Sequence, residues 1–146
     1  MLGGGLQGSL LGLRASIEGF GLAPTGLVMS GYYIGLLIGA TIVPKFVGRV
    51  GHIRSFGAMA SLASTSILVH AVFVDPLTWW FMRFVTGFAY AGLFIVSESW
   101  LNDASENETR GQMLSIYMII TFTFVGLGQF LLNLSDPAKV DLFILI

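Results

Sequence analysis

The stretch GFGLAPTGLVMSGYYIGLLIGATIVP, Gly19–Pro44, holds no Asp, Glu, Lys or Arg. It exceeds the roughly 20 apolar residues that one helix needs to cross the hydrocarbon core of a bilayer. Two more windows, Ser55–Val74 and Gly111–Ser135, are equally free of charge. A soluble domain distributes charge over all of its surfaces, and is about 25% charged. This chain of 146 residues is 10% charged, with a mean hydropathy of +0.84. The windows therefore place it inside a membrane.

Backbone groups in hydrocarbon must be paired internally, which leaves helices or a closed barrel. Barrel strands alternate polar and apolar residues, and these windows do not. The sequence predicts an all-α, polytopic membrane bundle. Helices are expected over about 1–18, 25–43, 56–74, 77–101 and 111–134, with a sixth cut short over 140–146. Thr25, after Pro24, is read as the N-cap of the second helix and Pro44 as its end. Lys45–Ser55 and Asn102–Arg110 become polar loops, and Asp75-Pro76 and Ser135–Lys139 become turns. Apolar sequence at Leu2 and at Leu142-Phe-Ile-Leu-Ile146 predicts a fragment of a larger membrane protein. A complete protein of four or five spans is the alternative.

The remaining composition mainly excludes. Absence of cysteine removes disulfides, thiol catalysis and Cys-based metal sites. His52 and His70 are far apart and form no ligand cluster, so neither metal nor cofactor is expected. A net charge of −1 gives no reason to expect nucleic acid. No basic residue precedes Arg14, so no cleavable signal peptide is expected. Lys45, Arg49, Arg54 and Arg110 lie in the loops after the second and fourth helices. Those loops should be cytoplasmic, because basic residues stay inside.

Few polar groups remain among the helices. Arg83 lies six residues into the fourth helix, about 9 Å along its axis. An intramembrane arginine usually faces a cavity or a partner. It either contacts a ligand or coupling ion in the outer part of a cavity, or is satisfied by carbonyls or by snorkelling. Glu98 lies about 22 Å further along the same helix, out of reach of Arg83. It is either a gate partner for Arg110 or the basic loop, or an ordinary interfacial carboxylate. Arg14 and Glu18, four apart, should pair with each other. Gln7, Gln129, Asn133 and Tyr90 either line a cavity or bond another helix. His70 reads as a packed or interfacial histidine. Glycine recurs every fourth residue at Gly4, Gly8 and Gly12 and at Gly31, Gly35 and Gly39, ridges that allow close helix contact. Ser97-Glu-Ser99 has no candidate base beside it, so a hydrolase reading is weak.

Taken in order, these features resemble the N-terminal half of major facilitator superfamily transporters. Gly48-Arg-Val-Gly51-His-Ile-Arg54 is similar to that superfamily's loop signature Asp-Arg-x-Gly-Arg. Arg49 and Gly51 match, while Gly48 stands where an acid is expected and His52 where a base is. Arg83-Phe-Val-Thr-Gly87 resembles Arg-x-x-Gln-Gly, with Thr86 in place of the glutamine. Val96-Ser-Glu98-Ser99-Trp-Leu101, Thr109-Arg-Gly111, Tyr117-Met118 and Gly128-Gln129 look closest to the YcaD-like branch of bacterial transporters.

The resemblance implies a twelve-helix carrier of a small solute in a bacterial inner membrane, not an enzyme. Its two halves would rock about a midplane site, most often driven by protons. Gln7 and Arg83 would line the cavity. Arg49, Gly51 and Arg54, with Glu98 and Arg110, would sit at the cytoplasmic gate. The C-terminal half of the same carrier would be an obligatory partner. The rival reading is a non-transporting membrane module such as a sensor or assembly factor, without a water-filled cavity.

Overall fold

The computed structural model describes residues 2–146. Helices α1 (Leu2–Ile17), α2 (Leu22–Val50), α3 (His52–Val72), α4 (Pro76–Ala104) and α5 (Arg110–Phe130) follow one another. A 3-10 turn, Leu131–Leu134, and a short α6, Asp141–Leu145, complete the chain. No strand occurs among the described residues. Four helical stretches are long and apolar enough to span a membrane: Leu22–Val50, His52–Val72, Pro76–Ala104 and Arg110–Leu134. The chain is an all-α membrane bundle.

The helices form two groups. α2 lies along α4, and α3 packs on another side of α4; α1 lies along α5. Contacts between the groups are sparse by comparison, so clefts open between them. Lipid is as apolar as leucine, and close packing rather than water exclusion must hold membrane helices together. The α2–α4 seam achieves this with glycine. Cβ atoms at Gly31, Gly35 and Gly39 would run into the Trp80, Phe84 and Phe88 backbones, and one at Gly87 into the Tyr32 backbone. Two apolar clusters flank the seam. One gathers Leu6, Leu10, Leu11, Val28, Trp79, Leu142 and Phe143; the other joins Val43, Val47, Met59 and Val96.

The helix ends differ from the sequence reading in instructive ways. α2 begins at Leu22 rather than Thr25, with Pro24 in its first turn, where a missing N–H is no loss. Thr25 does not cap; its hydroxyl donates back to the Phe20 carbonyl at 3.2 Å. Pro44 does not end the helix either. α2 continues to Val50, although an interior proline costs about 3 kcal/mol. Val43 and Val47, on either side of Pro44, are both buried in the second cluster, and that packing requires the extra turns to be helical. The expected loop Lys45–Ser55 thus shrinks to Gly51. There φ is +88°, a conformation that glycine adopts without strain. Its N–H closes α2 on the Val47 carbonyl at 2.8 Å, and its own carbonyl accepts from the Ser55 hydroxyl at 2.7 Å.

α4 starts sharply because Asp75 caps it. The carboxylate accepts from the Thr78 backbone N–H at 2.9 Å and its hydroxyl at 3.1 Å, and Pro76 follows in the first turn. At the end of α1, Arg14 pairs with Glu18 at 2.6 Å. Arg14 also donates to the Pro137 carbonyl at 3.2 Å and to that of Ala138, which ties α1 to the turn before α6.

Candidate functional site

One face of α4 carries Arg83, Gly87, Tyr90, Phe94 and Glu98, spaced three or four residues apart. Gly87 seats this face against α2. The side chains beyond it border the gap between the two helix groups. A cleft of about 310 Å³ there is lined by Gly4, Tyr32, Tyr90, Phe94, Glu98 and Tyr117, among others. A second, of about 150 Å³, lies among Gln7, Ala63, Ser64, Tyr90 and Leu93. Tyr90 borders both.

Arg83 is 6% exposed. Its guanidinium carbon sits 4.7 Å from the centre of the Tyr32 ring, and the Tyr32 and Tyr90 rings lie 6.4 Å apart. Cation–π attraction grows when both partners are desolvated. Nη2 reaches only the Met29 sulfur, at 3.7 Å, and Nε has no hydrogen-bond partner. Among the described residues, the two ion pairs are Arg14–Glu18 and His52–Asp103, so no carboxylate neutralises Arg83.

Gln7 is 2% exposed. It does not reach Arg83, but points its Nε2 at the Thr86 hydroxyl, 3.5 Å away. Thr86 Oγ1 lies 3.2 Å from Ser66 Oγ and 2.7 Å from the Met82 carbonyl. Where the related motif carries a glutamine on the fourth helix, this chain has a hydroxyl that meets a glutamine from the first. Gln129 lies on the exposed side of α5 and borders neither cleft.

The expected gate residues are not drawn together. Glu98 is exposed at the rim of the larger cleft. It makes no ion pair with Arg110, whose Nε is buried without a partner. Arg49 and Arg54 are exposed and unpaired among the described residues, and Gly51 is the hinge between α2 and α3. The contact that does form at this end joins His52 of the loop motif to Ser99 and Asp103 of α4, a pairing the sequence reading did not make. His52 Nε2 lies 3.0 Å from Ser99 Oγ and 3.7 Å from Asp103 Oδ2, joining the start of α3 to the end of α4. Beside it, an apolar cleft of about 420 Å³ is lined by Phe56, Val96, Trp100 and Leu101.

A further buried contact also went unread. His70 is fully buried, against Trp79 with ring centres 5.7 Å apart. Nothing in the residue order signals that Ser66, His70, Trp79 and Thr86 meet; the register of α3 on α4 brings them together. Among the described residues no group of three His, Asp or Glu stands close enough to hold a metal. The site can therefore offer one buried cation, aromatic faces and neutral hydrogen-bonding groups.

Comparison with known proteins shows the family of the chain. The family described as Major Facilitator Superfamily matches residues 1–134. A relative from Yersinia pestis (strain Pestoides F), described as an uncharacterized MFS-type transporter, is 31% identical over 109 residues, 75% of this chain and 28% of the relative. The uncharacterized MFS-type transporter YcaD of Salmonella arizonae is 29% identical over 108 residues, 74% of this chain and 28% of its own. One from Enterobacter sp. (strain 638) is 28% identical with the same coverage. The chain thus spans little more than a quarter of the length of these relatives. No solved structure matches it.

Proposed function

The chain belongs to the major facilitator superfamily, and from that premise we propose that it forms part of a secondary active transporter. The carrier moves a small solute across a bacterial inner membrane by alternating access. The basic ends around Arg49, Arg54 and Arg110 face the cytoplasm, and the rest of the carrier, its C-terminal half included, supplies the opposite wall of the path. One observation carries this reading: the only buried, unneutralised cation among the described residues of the spanning helices, Arg83, begins a face of α4 that continues through Tyr90 to Glu98 along a cleft. A charge in hydrocarbon costs several kcal/mol and tends to mark a substrate or ion path. Enzymatic chemistry is not favoured, because the one hydroxyl beside an imidazole among the described residues, Ser99 at His52, faces the same Nε2 that Asp103 faces, so no separate group orients the ring as a general base.

In this reading Arg83, Tyr32 and Tyr90 hold solute, with Gln7 fixing α1 against α4 behind them. Glu98, Arg110, Arg49, Gly51 and Arg54 belong to the cytoplasmic gate. Glu98 and Arg110, apart in this conformation, would meet in another one as the helix groups rock. A non-transporting module would instead keep the α4 face dry.

Labelling separates the two. The chain has no cysteine, so single cysteines at Gly8, Tyr90 and Phe94 of the full-length protein can be exposed to a water-soluble maleimide. All three should react, and a cysteine at Leu127, exposed on α5 away from the clefts, should not. Absence of labelling along α4 removes the transporter reading. Uptake into proteoliposomes by Arg83→Leu should fall at least about tenfold, the loss expected when a 1.4 kcal/mol contact disappears. Unchanged uptake takes Arg83 out of the mechanism.

A further inference from the structure

The cleft of about 310 Å³ has aromatic walls and a single acid. Glu98 is the only Asp, Glu, Lys, Arg or His among its lining residues, and it makes no ion pair among the described residues. The rings form a row that leads to it. Tyr32 and Tyr90 have centres 6.4 Å apart, and Tyr90 and Phe94 follow at 6.3 Å. Tyr90, Phe94 and Glu98 come at intervals of four residues, so they share one face of α4 and the row ends at the carboxylate. α1 leaves room for it, since a Cβ at Gly4 would come within 3.0 Å of the Tyr90 ring. On α5, Tyr117 borders the same cleft with a hydroxyl that is buried and has no partner.

These walls select by charge. An anion would meet a carboxylate and no cation. A sugar would bring many hydroxyls, each costly to bury without a partner, and aromatic faces do not pair them. A cation is drawn both by the carboxylate and by the negative faces of the rings, and the second attraction grows as water is excluded. An ammonium that carries no N–H brings no donor to leave unpaired. Arg83 does not line this cleft and lies about 22 Å from Glu98 along α4. Coulomb energy falls with distance, so Arg83 opposes a cation at Glu98 with roughly a fifth of the pull that a carboxylate exerts from about 4 Å. Its part is to hold the Tyr32 ring, 4.7 Å away, and to direct the charged end of the solute toward Glu98.

We propose that this cleft binds a hydrophobic organic cation, with its ammonium group at Glu98 and its apolar body along Phe94 and Tyr90. The proposal names the solute class of the transporter reading and rests on it. Arg110 gives the site a competitor. It lies two turns before Tyr117 on the same face of α5, and its Nε is buried without a partner. When the helix groups rock and Glu98 meets Arg110, the guanidinium takes the place of the ammonium. Glu98 is then neutralised in both conformations, by solute in one and by Arg110 in the other. The solute favours the conformation in which the two residues stand apart, because it binds that one better.

Titration calorimetry on the full-length protein in nanodiscs tests the site, with benzyltrimethylammonium chloride as the probe. Saturable binding is expected, while neutral benzyl alcohol and anionic 3-phenylpropanoate should not bind saturably. Glu98→Gln should weaken the cation at least about tenfold, and Glu98→Asp, which keeps the charge, should retain most of the affinity. Tyr90→Leu should weaken it about threefold or more, the weight of one cation–π contact. Arg110→Gln should tighten it by about threefold or more, because the competing conformation is lost. Tightening on removal of a side chain is not what a merely structural role produces. No saturable binding of the cation, saturable binding of 3-phenylpropanoate in its place, or an unchanged affinity in Glu98→Gln overturns the site. Glu98→Asp as weak as Glu98→Gln also overturns it, since position and not charge then matters. An unchanged affinity in Arg110→Gln overturns the exchange with Arg110. Calorimetry reads binding without movement. A silent titration therefore leaves the transporter reading to the maleimide test, while saturable binding without uptake removes transport and not the cation site.

Discussion

Two glycine ridges with the same four-residue spacing have opposite fates in this molecule. On α2, Gly31, Gly35 and Gly39 all press against the α4 backbone. On α1, a Cβ at Gly8 would meet nothing within 4 Å, one at Gly12 would touch only the end of Met29 at 3.7 Å, and one at Gly4 would meet only the Tyr90 ring. The tight contact of α1 is made by a different residue, Gly5, against the Val125 backbone of α5, with Gly128 of α5 against Leu2 in return. Spacing therefore defines a smooth face without saying what lies opposite. One smooth face builds the rigid α2–α4 seam. The other leaves room beside Tyr90 and Met29, which flank the Arg83 site. Static and open surfaces are made from the same residue pattern, and only the contacts tell them apart.

The largest effect expected from this contrast is at Gly35. A Cβ there would overlap the Phe84 carbonyl and come within 2.9 Å of the Phe88 nitrogen. Backbone cannot rotate away as a side chain can. Gly35→Leu should force the two helices apart and destabilise the fold by about 3 kcal/mol or more, read as loss of a monodisperse peak and a collapse of Tm in detergent. A wild-type Tm in Gly35→Leu breaks the comparison at its tight end. At the open end, Gly8→Ala should change stability by no more than about 0.5 kcal/mol. Gly8→Phe should keep its Tm yet lower uptake at least about tenfold, because the ring occupies the space that solute uses. Gly8→Phe with full uptake shows that this space lies off the path.

Gly92 supplies an intermediate case. Its Cβ would meet the Met59 side chain, at 2.5 Å from Cγ and 2.7 Å from the sulfur. Methionine is unbranched and adaptable, so Gly92→Ala should cost only about 1 kcal/mol. A loss as large as that of Gly35→Leu would mean that the α3–α4 contact is as unyielding as the seam.

How much of this was legible depends on whether neighbours in sequence decide it. The charge-free windows announce the spans, because every side of a lipid-exposed helix must be apolar wherever its partners sit. Arg14 with Glu18 is legible for the same reason: four residues apart on a helix is a local distance. Arg83 is visible as an anomaly, yet its bed of Tyr32 and Met29 is not, since that requires the register of α2 on α4. Pro44 misleads because its local preference to end a helix is overridden by burial of Val43 and Val47. His70, Ser66 and Thr86 are individually ordinary residues whose meeting depends wholly on tertiary register. The expected Glu98–Arg110 gate depends on conformation as well, and in this one the two stay apart.

The smallest expected effect is at Asp75, where the seam begins. The Thr78 backbone N–H, and then the Thr78 hydroxyl, hold the Asp75 carboxyl below its ordinary value. A group whose folded-state value is depressed adds stability above its unfolded value, and that contribution disappears as pH falls through the folded value. The cap should thus survive acidification that already protonates a free aspartate, and fail only below it. Asp75→Asn keeps an acceptor for Thr78 but has no proton to gain. The Tm difference between wild type and Asp75→Asn should be small and constant at neutral pH and should change below the ordinary aspartate range. A difference that is flat at every pH means that the start of α4 is held by its packing against α2 and not by its cap, which would extend the rigid seam up to the turn itself.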